Sequence, residues 1–137
     1  MANELAGSGT YGPTNPVQLF AGEKEVVTAH DLVAVSQDLV QYQVVAKNAA
    51  GDIVAHDPDA VTGEVGSEVP APQSKAVGVM AVAVKTSATD KQSAPYFVSA
   101  FFNHEVLVWD ASIDTLAKRK AAFVGTEIQV GTLYGAA

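Results

Sequence analysis

An uninterrupted apolar stretch, Ala76–Val84, reads AVGVMAVAV and carries no polar side chain in nine residues. A strand with one solvated face alternates apolar and polar residues, whereas a strand covered on both faces is apolar throughout. The pattern therefore predicts a central strand from Ala76 to Val84 with both faces buried. The stretch is too short to cross a bilayer, which takes about 20 apolar residues, so protein must cover it, from this chain or from another.

A hairpin and a long loop are predicted upstream of that stretch. The β-branched and aromatic residues of segment 39–45, LVQYQVV, predict a strand. KNAAGD supplies the turn, with Gly51 able to take a positive φ, and DIVAHD predicts the returning strand, which Pro58 ends. Segment 57–73, DPDAVTGEVGSEVPAPQ, combines three prolines, two glycines and four acids, so it predicts a long surface loop.

The C-terminal half predicts two strands and one helix. YFVSAFF predicts a strand over 96–102, with a turn at Asn103 and His104, and EIQV predicts a short strand over 127–130. A helix is predicted over about 112–121, because apolar residues recur there at helical spacing. Asp110 or Ser112 is the expected N-cap.

The composition indicates the class of the fold. A chain of 137 residues is long enough for one domain with a substantial core. Its 48% hydrophobic and 17% charged residues exclude a chain that is disordered throughout. The bias towards Val, Ala and Gly favours strands and turns over long helices. We therefore predict an α+β fold that is mostly β, a compact body of short strands with one short helix.

The first 16 residues predict a flexible N-terminal arm. They are rich in glycine, proline, serine and threonine and cannot form a periodic apolar face. Apolar side chains are nevertheless spaced along this segment and just beyond it, at Tyr11, Val17, Leu19 and Phe20. A purely solvated tail does not need these residues, so we expect the arm to have a docking site.

The charge balance excludes several classes of partner. Fifteen acidic and eight basic residues give a formal net charge of −7. Such a surface repels phosphates, and the small basic cluster 118–120 does not reverse this, so no nucleic-acid partner is predicted.

The absence of cysteine excludes disulfides and thiol nucleophiles. No signal-peptide pattern is visible at the N-terminus, so we expect synthesis and folding in a cytoplasm and no membrane partner.

The histidines are the main candidates for chemistry. Each precedes an acid, in the pairs His30–Asp31, His56–Asp57 and His104–Glu105. Imidazole and carboxylate are metal ligands, but adjacent strand residues point to opposite faces. A metal-dependent hydrolase therefore requires all three histidines to converge from separate strands. No serine stands in a G-x-S-x-G context and no phosphate-binding glycine motif is present. We predict no catalysis, no required metal and no other cofactor.

Several segments carry a resemblance to a known family. AVGVMAVAV is followed by a polar loop, by APYFVSAFFNHEVLVW and by a short helix that ends in KRKAAFVGTEIQV. Upstream, FAGEKEVV to AHDP has the layout of an arm, a first strand pair and a hairpin with its turn. In order and spacing, Phe20 to Val130 resembles the head decoration proteins of lambda-type tailed phages. Ala100 departs from the glycine that relatives often carry, and the loop 57–73 is longer than in compact members.

The resemblance implies structural work on a virion. Members of this family form homotrimers that bind the major capsid protein on the outside of the expanded head, at three-fold and quasi-three-fold positions, and stabilise the shell against the pressure of packaged DNA. The resemblance implies an N-terminal capsid-binding arm, 1–20, and a decoration domain, 21–137. Expected capsid contacts are Tyr11, Pro13, Val17, Leu19 and Phe20. Expected core or trimer contacts are Ala76, Gly78, Met80, Ala81 and Ala83.

Trp109 separates this hypothesis from an alternative. A single tryptophan next to an apolar run is typical of a core or interface anchor, and we predict that role. The alternative is a stand-alone β-rich carbohydrate-binding or adhesion module on a virion surface. That function requires an exposed aromatic platform around Trp109, Tyr96 and Phe97.

Overall fold

The computed structural model describes residues 19–133 and is mostly β with one short helix in that range, which confirms the predicted fold class. The strands are β1 (Val27–Val33), β2 (Asp38–Leu39), β3 (Val44–Lys47), β4 (Ile53–Ala55), β5 (Val61–Thr62), β6 (Val69–Pro70), β7 (Gly78–Met80), β8 (Val84–Lys85), β9 (Gln92–Asn103) and β10 (Glu127–Gly131). The helix α1 spans Leu116–Ala122, and a 3-10 turn spans Pro72–Ser74. No helix within 19–133 is long and apolar enough to cross a membrane.

Five strands close into a small barrel in the order β1-β4-β3-β7-β9, because β9 also pairs with β1. β1 and β4 are parallel, with Val33 opposite Ile53, and the other four pairings are antiparallel. A cluster that we call the barrel core contains residues from all five strands and from β2 and β8. It consists of Val33, Leu39, Val45, Ile53, Met80, Val84, Ala94 and Tyr96.

A second cluster, the outer core, lies on the other face of β3 and β7. The C-terminal half of β9 extends beyond the barrel and pairs in parallel with β10, from Ser99 opposite Glu127 to Asn103 opposite Gly131. Phe123, which caps the C-terminus of α1, packs into this cluster. The outer core consists of Val44, Ala76, Val79, Ala100, Phe102, Leu107, Phe123, Ile128 and Val130.

The apolar stretch 76–84 lies between these two cores. Val79 packs into the outer core and its neighbour Met80 into the barrel core, so both faces are buried at this point, as predicted. The predicted strand is too long, however, because β7 ends at Met80 and the chain then bends before β8 begins at Val84. Val82 and Ala83 in the bend are exposed. Alternation between the two cores explains the apolar residues up to Met80, and Val84 returns to the barrel core, but the apolar side chains of Val82 and Ala83 are not covered by either core.

The predicted strand over 39–45 is also interrupted. Tyr42 has φ of 67°, a left-handed conformation that strand residues do not adopt, and it separates β2 from β3. The Tyr42 N–H donates to the carbonyl of Met80, and Val108 N–H donates to the carbonyl of Tyr42. These tertiary hydrogen bonds stabilise the break. The turn at Gly51, with φ of 89°, and the returning strand β4 are confirmed.

The helix is shorter than predicted and begins later. Thr115 is the N-cap, and its hydroxyl accepts a hydrogen bond from the N–H of Lys118 at 3.2 Å. The prediction of Asp110 or Ser112 as N-cap was wrong. The Asp110 carboxylate instead accepts hydrogen bonds from the backbone N–H and the hydroxyl of Ser112. It therefore closes a turn that precedes the N-cap Thr115.

The segment 57–73 lies on the surface, as predicted, but it is not without structure. β5 and β6 pair as a short antiparallel hairpin, Val61 opposite Pro70 and Thr62 opposite Val69. Gly63 and Gly66 take the positive φ values that its connection requires. Every residue from 61 to 70 is exposed, so this hairpin projects from the body.

Candidate functional site

Leu19–Ala21, at the end of the predicted arm, are fixed to the body, and we call this segment the arm root. The carbonyl of Leu19 accepts a hydrogen bond from Asn103 N–H at 2.7 Å, and Ala21 N–H donates to the carbonyl of Phe101 at 2.9 Å. Phe20 forms an antiparallel bridge with Phe102 between them. The root is therefore held by backbone hydrogen bonds to the C-terminal half of β9.

Aromatic packing strengthens this attachment. The ring of Phe20 stacks on Phe102, with centroids 5.6 Å apart, and meets Phe97 edge-on at 6.2 Å. Leu19 and Phe20 are both partly buried against the outer core. Of the five predicted capsid contacts, these two belong to the folded body, while Tyr11, Pro13 and Val17 lie outside the described residues.

The two ends of the described chain come together around Phe101. A Cβ added to Gly22 or to Gly131 would lie 3.0 Å from the Phe101 ring, so that side chain packs closely against both glycines. Gly131 ends β10, and its carbonyl accepts a hydrogen bond from His104 N–H at 3.0 Å. Gly22, which follows the arm root, therefore lies near the end of the last strand, β10.

That last strand, β10, is at the end of the sheet and pairs with β9 alone within residues 19–133. Beside it lies a shallow groove of about 390 Å³, whose lining includes Phe101, Phe123, Val124 and Ile128, with Lys120 at α1. An open strand edge next to an apolar groove can hold an extended peptide through backbone hydrogen bonds and side-chain contacts.

Trp109 is half-buried and is held in place by three contacts. Its Nε1 donates to the carbonyl of His104 at 2.8 Å, its ring meets Phe123 edge-on at 5.6 Å, and the Arg119 guanidinium lies 5.3 Å from the ring centroid. Tyr96 is buried in the barrel core, and Phe97 packs with Phe20 and Phe102. The three aromatic residues therefore do not form the exposed platform that the carbohydrate-binding alternative requires.

The three histidines occupy different environments. His30 is exposed on β1, whereas His56 is buried and its Nε2 lies 3.1 Å from the carbonyl of Ser74. His104 is buried, and Arg119 donates to its Nδ1 at 3.0 Å. Burial and the neighbouring Arg119 charge lower the pKa of His104 below its usual 6.5. Across residues 19–133, no group of three or more His, Asp or Glu is placed to hold a metal ion.

A polar cluster at one end of the barrel joins three strands. The Tyr96 hydroxyl donates to Asp31 Oδ2 at 2.6 Å, and Lys47 Nζ lies 3.0 Å from the same oxygen. The Tyr96 hydrogen bond, followed by that of Lys47, lowers the pKa of Asp31. Burial, followed by the bond to Asp31, raises the pKa of Tyr96. The cluster connects β1, β3 and β9 and stabilises the closed barrel.

The predicted core or trimer-contact residues fall into two groups. Ala76, Gly78 and Met80 are buried within this chain, whereas Ala81 is half-buried and Ala83 is exposed. Only the last two present side chains that a neighbouring subunit can reach. Whether they form a trimer contact remains a prediction.

Sequence reasoning missed the residues that attach the arm and the helix. Phe101, Gly22 and Gly131 form one packed group, although they are far apart in the chain. Arg119 was assigned to a small basic cluster, yet its guanidinium is directed inward to His104 and Trp109. No local pattern marks these contacts. For the group around Phe101, the two glycines Gly22 and Gly131, near the two ends of the described chain, were a partial signal.

Comparison with known proteins supplies the family. No curated protein matches the chain in a sequence comparison. A family model described as bacteriophage lambda head decoration protein D matches residues 10–131, which is most of the chain and includes the arm root, both cores, α1 and β10. The chain therefore belongs to the bacteriophage lambda head decoration protein D family.

Proposed function

We propose that this chain decorates the head of a tailed phage as a homotrimer. It binds the outside of the expanded capsid at three-fold and quasi-three-fold positions and stabilises the shell against the pressure of packaged DNA. The role is structural rather than catalytic. The observation that carries the proposal is the family match over residues 10–131.

The N-terminal arm is the proposed capsid-binding element. Hydrogen bonds and ring packing at Leu19–Ala21 hold its root, so residues 1–18 start from one defined point on the body. An extended segment can add a strand to a sheet edge on the major capsid protein, and Tyr11, Pro13 and Val17 supply side chains for pockets there. Ordering a glycine- and proline-rich segment costs conformational entropy, so a single arm binds weakly.

Trimer formation compensates for that weak binding. Three arms on one particle raise the effective concentration of each arm once the first is bound. Several valines and Leu32 on the described surface are more than 40% exposed, and closed cyclic symmetry is the usual way for a soluble protein to cover such residues. Ala83 and Val82, in the exposed bend after β7, are candidates for this contact.

The proposed location is the outer surface of the virion, after synthesis in the host cytoplasm. The net charge of −7 supports a position outside the shell, because an acidic protein is repelled by packaged DNA. The absence of an exposed platform at Trp109, Tyr96 and Phe97 argues against the carbohydrate-binding alternative.

Binding to empty heads tests the proposal. Purified protein is mixed with expanded heads that lack decoration, and bound protein is measured after sedimentation over a range of concentrations. Unexpanded heads of the same phage are the control. We expect saturable binding to expanded heads and little binding to unexpanded ones. Equal, non-saturating association with both forms contradicts the proposal.

A further inference from the structure

We propose that His104 and Arg119 form an acid-sensitive latch, which holds α1 against the turn after β9 at neutral pH and releases it when His104 is protonated. The inference concerns the body of the protein and does not depend on capsid binding.

The protonation state of the latch follows from its geometry. Arg119 Nη1 lies 3.0 Å from His104 Nδ1. A guanidinium has only donors, so Nδ1 must be the acceptor, and His104 must be neutral with its proton on Nε2. Protonation places a second N–H on Nδ1, facing the donor of Arg119. The hydrogen bond is then lost, and two positive charges lie within a contact distance in a buried site.

The groups around His104 favour the neutral form. Arg119 and Lys120, both from α1, oppose a positive charge on the imidazole, and Glu105 on the same turn favours it. The residue His104 is 8% exposed, so water screens these charges only weakly. Burial and the two cations outweigh Glu105 and lower the pKa of His104.

Arg119 connects this contact to the helix and to Trp109. Its Nε donates to the carbonyl of Ile113 at 3.1 Å, and its guanidinium lies over the Trp109 ring. Trp109 in turn packs against Phe123 at the C-terminus of α1 and donates to the carbonyl of His104. No residue of α1 is itself buried, and its C-terminal end is held through Ala122 and the C-cap Phe123, which pack against the outer core. Loss of the His104 contact therefore weakens the attachment of the whole helix.

The direction of the pH effect follows from linkage. A histidine whose folded pKa lies below 6.5 binds its proton more readily in the open form. The latch is unaffected above pH 6.5 and weakens as pH falls below it, until the folded form also takes up the proton. In that window the equilibrium constant for opening rises by up to tenfold for each unit by which the pH falls. Hydrogen bonds lower the pKa values of Asp110 and Asp114, which precede the helix, from 3.8, so these two carboxylates titrate below this range.

Hydrogen exchange of the full chain tests the proposal, with Trp109 fluorescence as a second readout. Exchange is measured between pH 7 and pH 5 and corrected for the intrinsic pH dependence of amide exchange. We expect the opening of α1 to increase as pH falls below 6.5, by up to tenfold for each pH unit, with β3 and β7 unchanged. The variant His104→Asn keeps an acceptor near the Nδ1 position and cannot titrate, so its α1 should show no such increase.

The exposed histidine provides the matched control. His30→Asn removes an exposed imidazole from β1 and should retain the full pH dependence of the wild type. If His104→Asn does not fold, the imidazole chemical shifts of His104 in the wild-type chain serve instead, and α1 opening should follow their titration. An α1 whose exchange is constant between pH 7 and pH 5, or an equal increase in His104→Asn, overturns the latch. Simultaneous opening of α1 and the barrel also overturns it.

Discussion

Gly78 allows β7 to lie close to β9, and replacing it with alanine should strongly destabilise the protein. A Cβ at this position would be 2.6 Å from the carbonyl oxygen of Phe97 and 2.6 Å from Cδ2 of Tyr96. Ordinary contact begins near 3.4 Å, so the two strands would have to separate by about 0.8 Å. β7 also pairs with β3 and separates the two cores, so it has little room to move.

The expected cost of Gly78→Ala is about 3 kcal/mol, the upper end of the range for overpacking a core. The obstacle is backbone, which cannot rotate away, and this exceeds the gain of about 0.5–1 kcal/mol that alanine brings by restricting the unfolded chain. In urea, with a slope of about 1.5–2 kcal/mol per molar, the unfolding midpoint should fall by at least 1 M. Protein concentration is held constant, because assembly changes the apparent stability.

Gly131→Ala is the matched control for this experiment. Its new Cβ would meet only the edge of the Phe101 ring, at 3.0 Å, and a side chain can shift by a few tenths of an ångström. We expect a loss below about 1 kcal/mol. The reasoning is wrong if the free energy of unfolding of Gly78→Ala lies within about 0.5 kcal/mol of the wild-type value, or is no lower than that of Gly131→Ala. Close packing of β7 on β9 would then not limit stability.

Three further predictions concern the arm, the assembly and the polar cluster. Deletion of residues 2–18 should leave the melting temperature unchanged, because the arm root and the cores remain, and should abolish binding to expanded heads; undiminished binding contradicts an active arm. Light scattering after size exclusion should give about 43 kDa, three times the 14.2 kDa of one chain, and a stable 14 kDa species at micromolar concentration counts against a preformed trimer. In Tyr96→Phe the pKa of Asp31, measured by NMR titration, should rise towards 3.8, because the largest cause of its lowering is removed. In the wild type, the stability that this carboxylate contributes is present above pH 3.8 and is lost as pH falls through the lowered pKa; an unchanged Asp31 pKa in Tyr96→Phe refutes the assigned cause.

Local patterns predicted most of the elements but not their limits. The strands around Gly51, β9, β10 and the single helix follow from residue preferences that act over a few positions. The start of the helix depended on a competition among Asp110, Ser112 and Thr115, each of which is a favourable N-cap. Asp110 is used in a turn with Ser112, and this leaves Thr115 to begin the helix. Residue types alone do not decide such a competition.

Local patterns could not predict the pairing of strands that are far apart in the sequence. Closure of the barrel brings β1 alongside β9, so that Val33 lies opposite Gln92 and Val27 opposite Ser99. The break at Tyr42 is stabilised by hydrogen bonds to Met80 and Val108. The same limit applies to the candidate site. The apolar residues Leu19 and Phe20 were visible in the sequence, but their packing against the outer core depends on tertiary contacts.

Electron cryomicroscopy of expanded heads incubated with the purified protein tests the central claim most directly. The proposed function predicts trimeric density on the outer surface, confined to the three-fold and quasi-three-fold positions, with three extended arms that contact the major capsid protein. Heads incubated with the protein lacking residues 2–18 are the control and should remain bare. Heads without ordered outer density at saturating protein, or with density only at other positions, contradict the account.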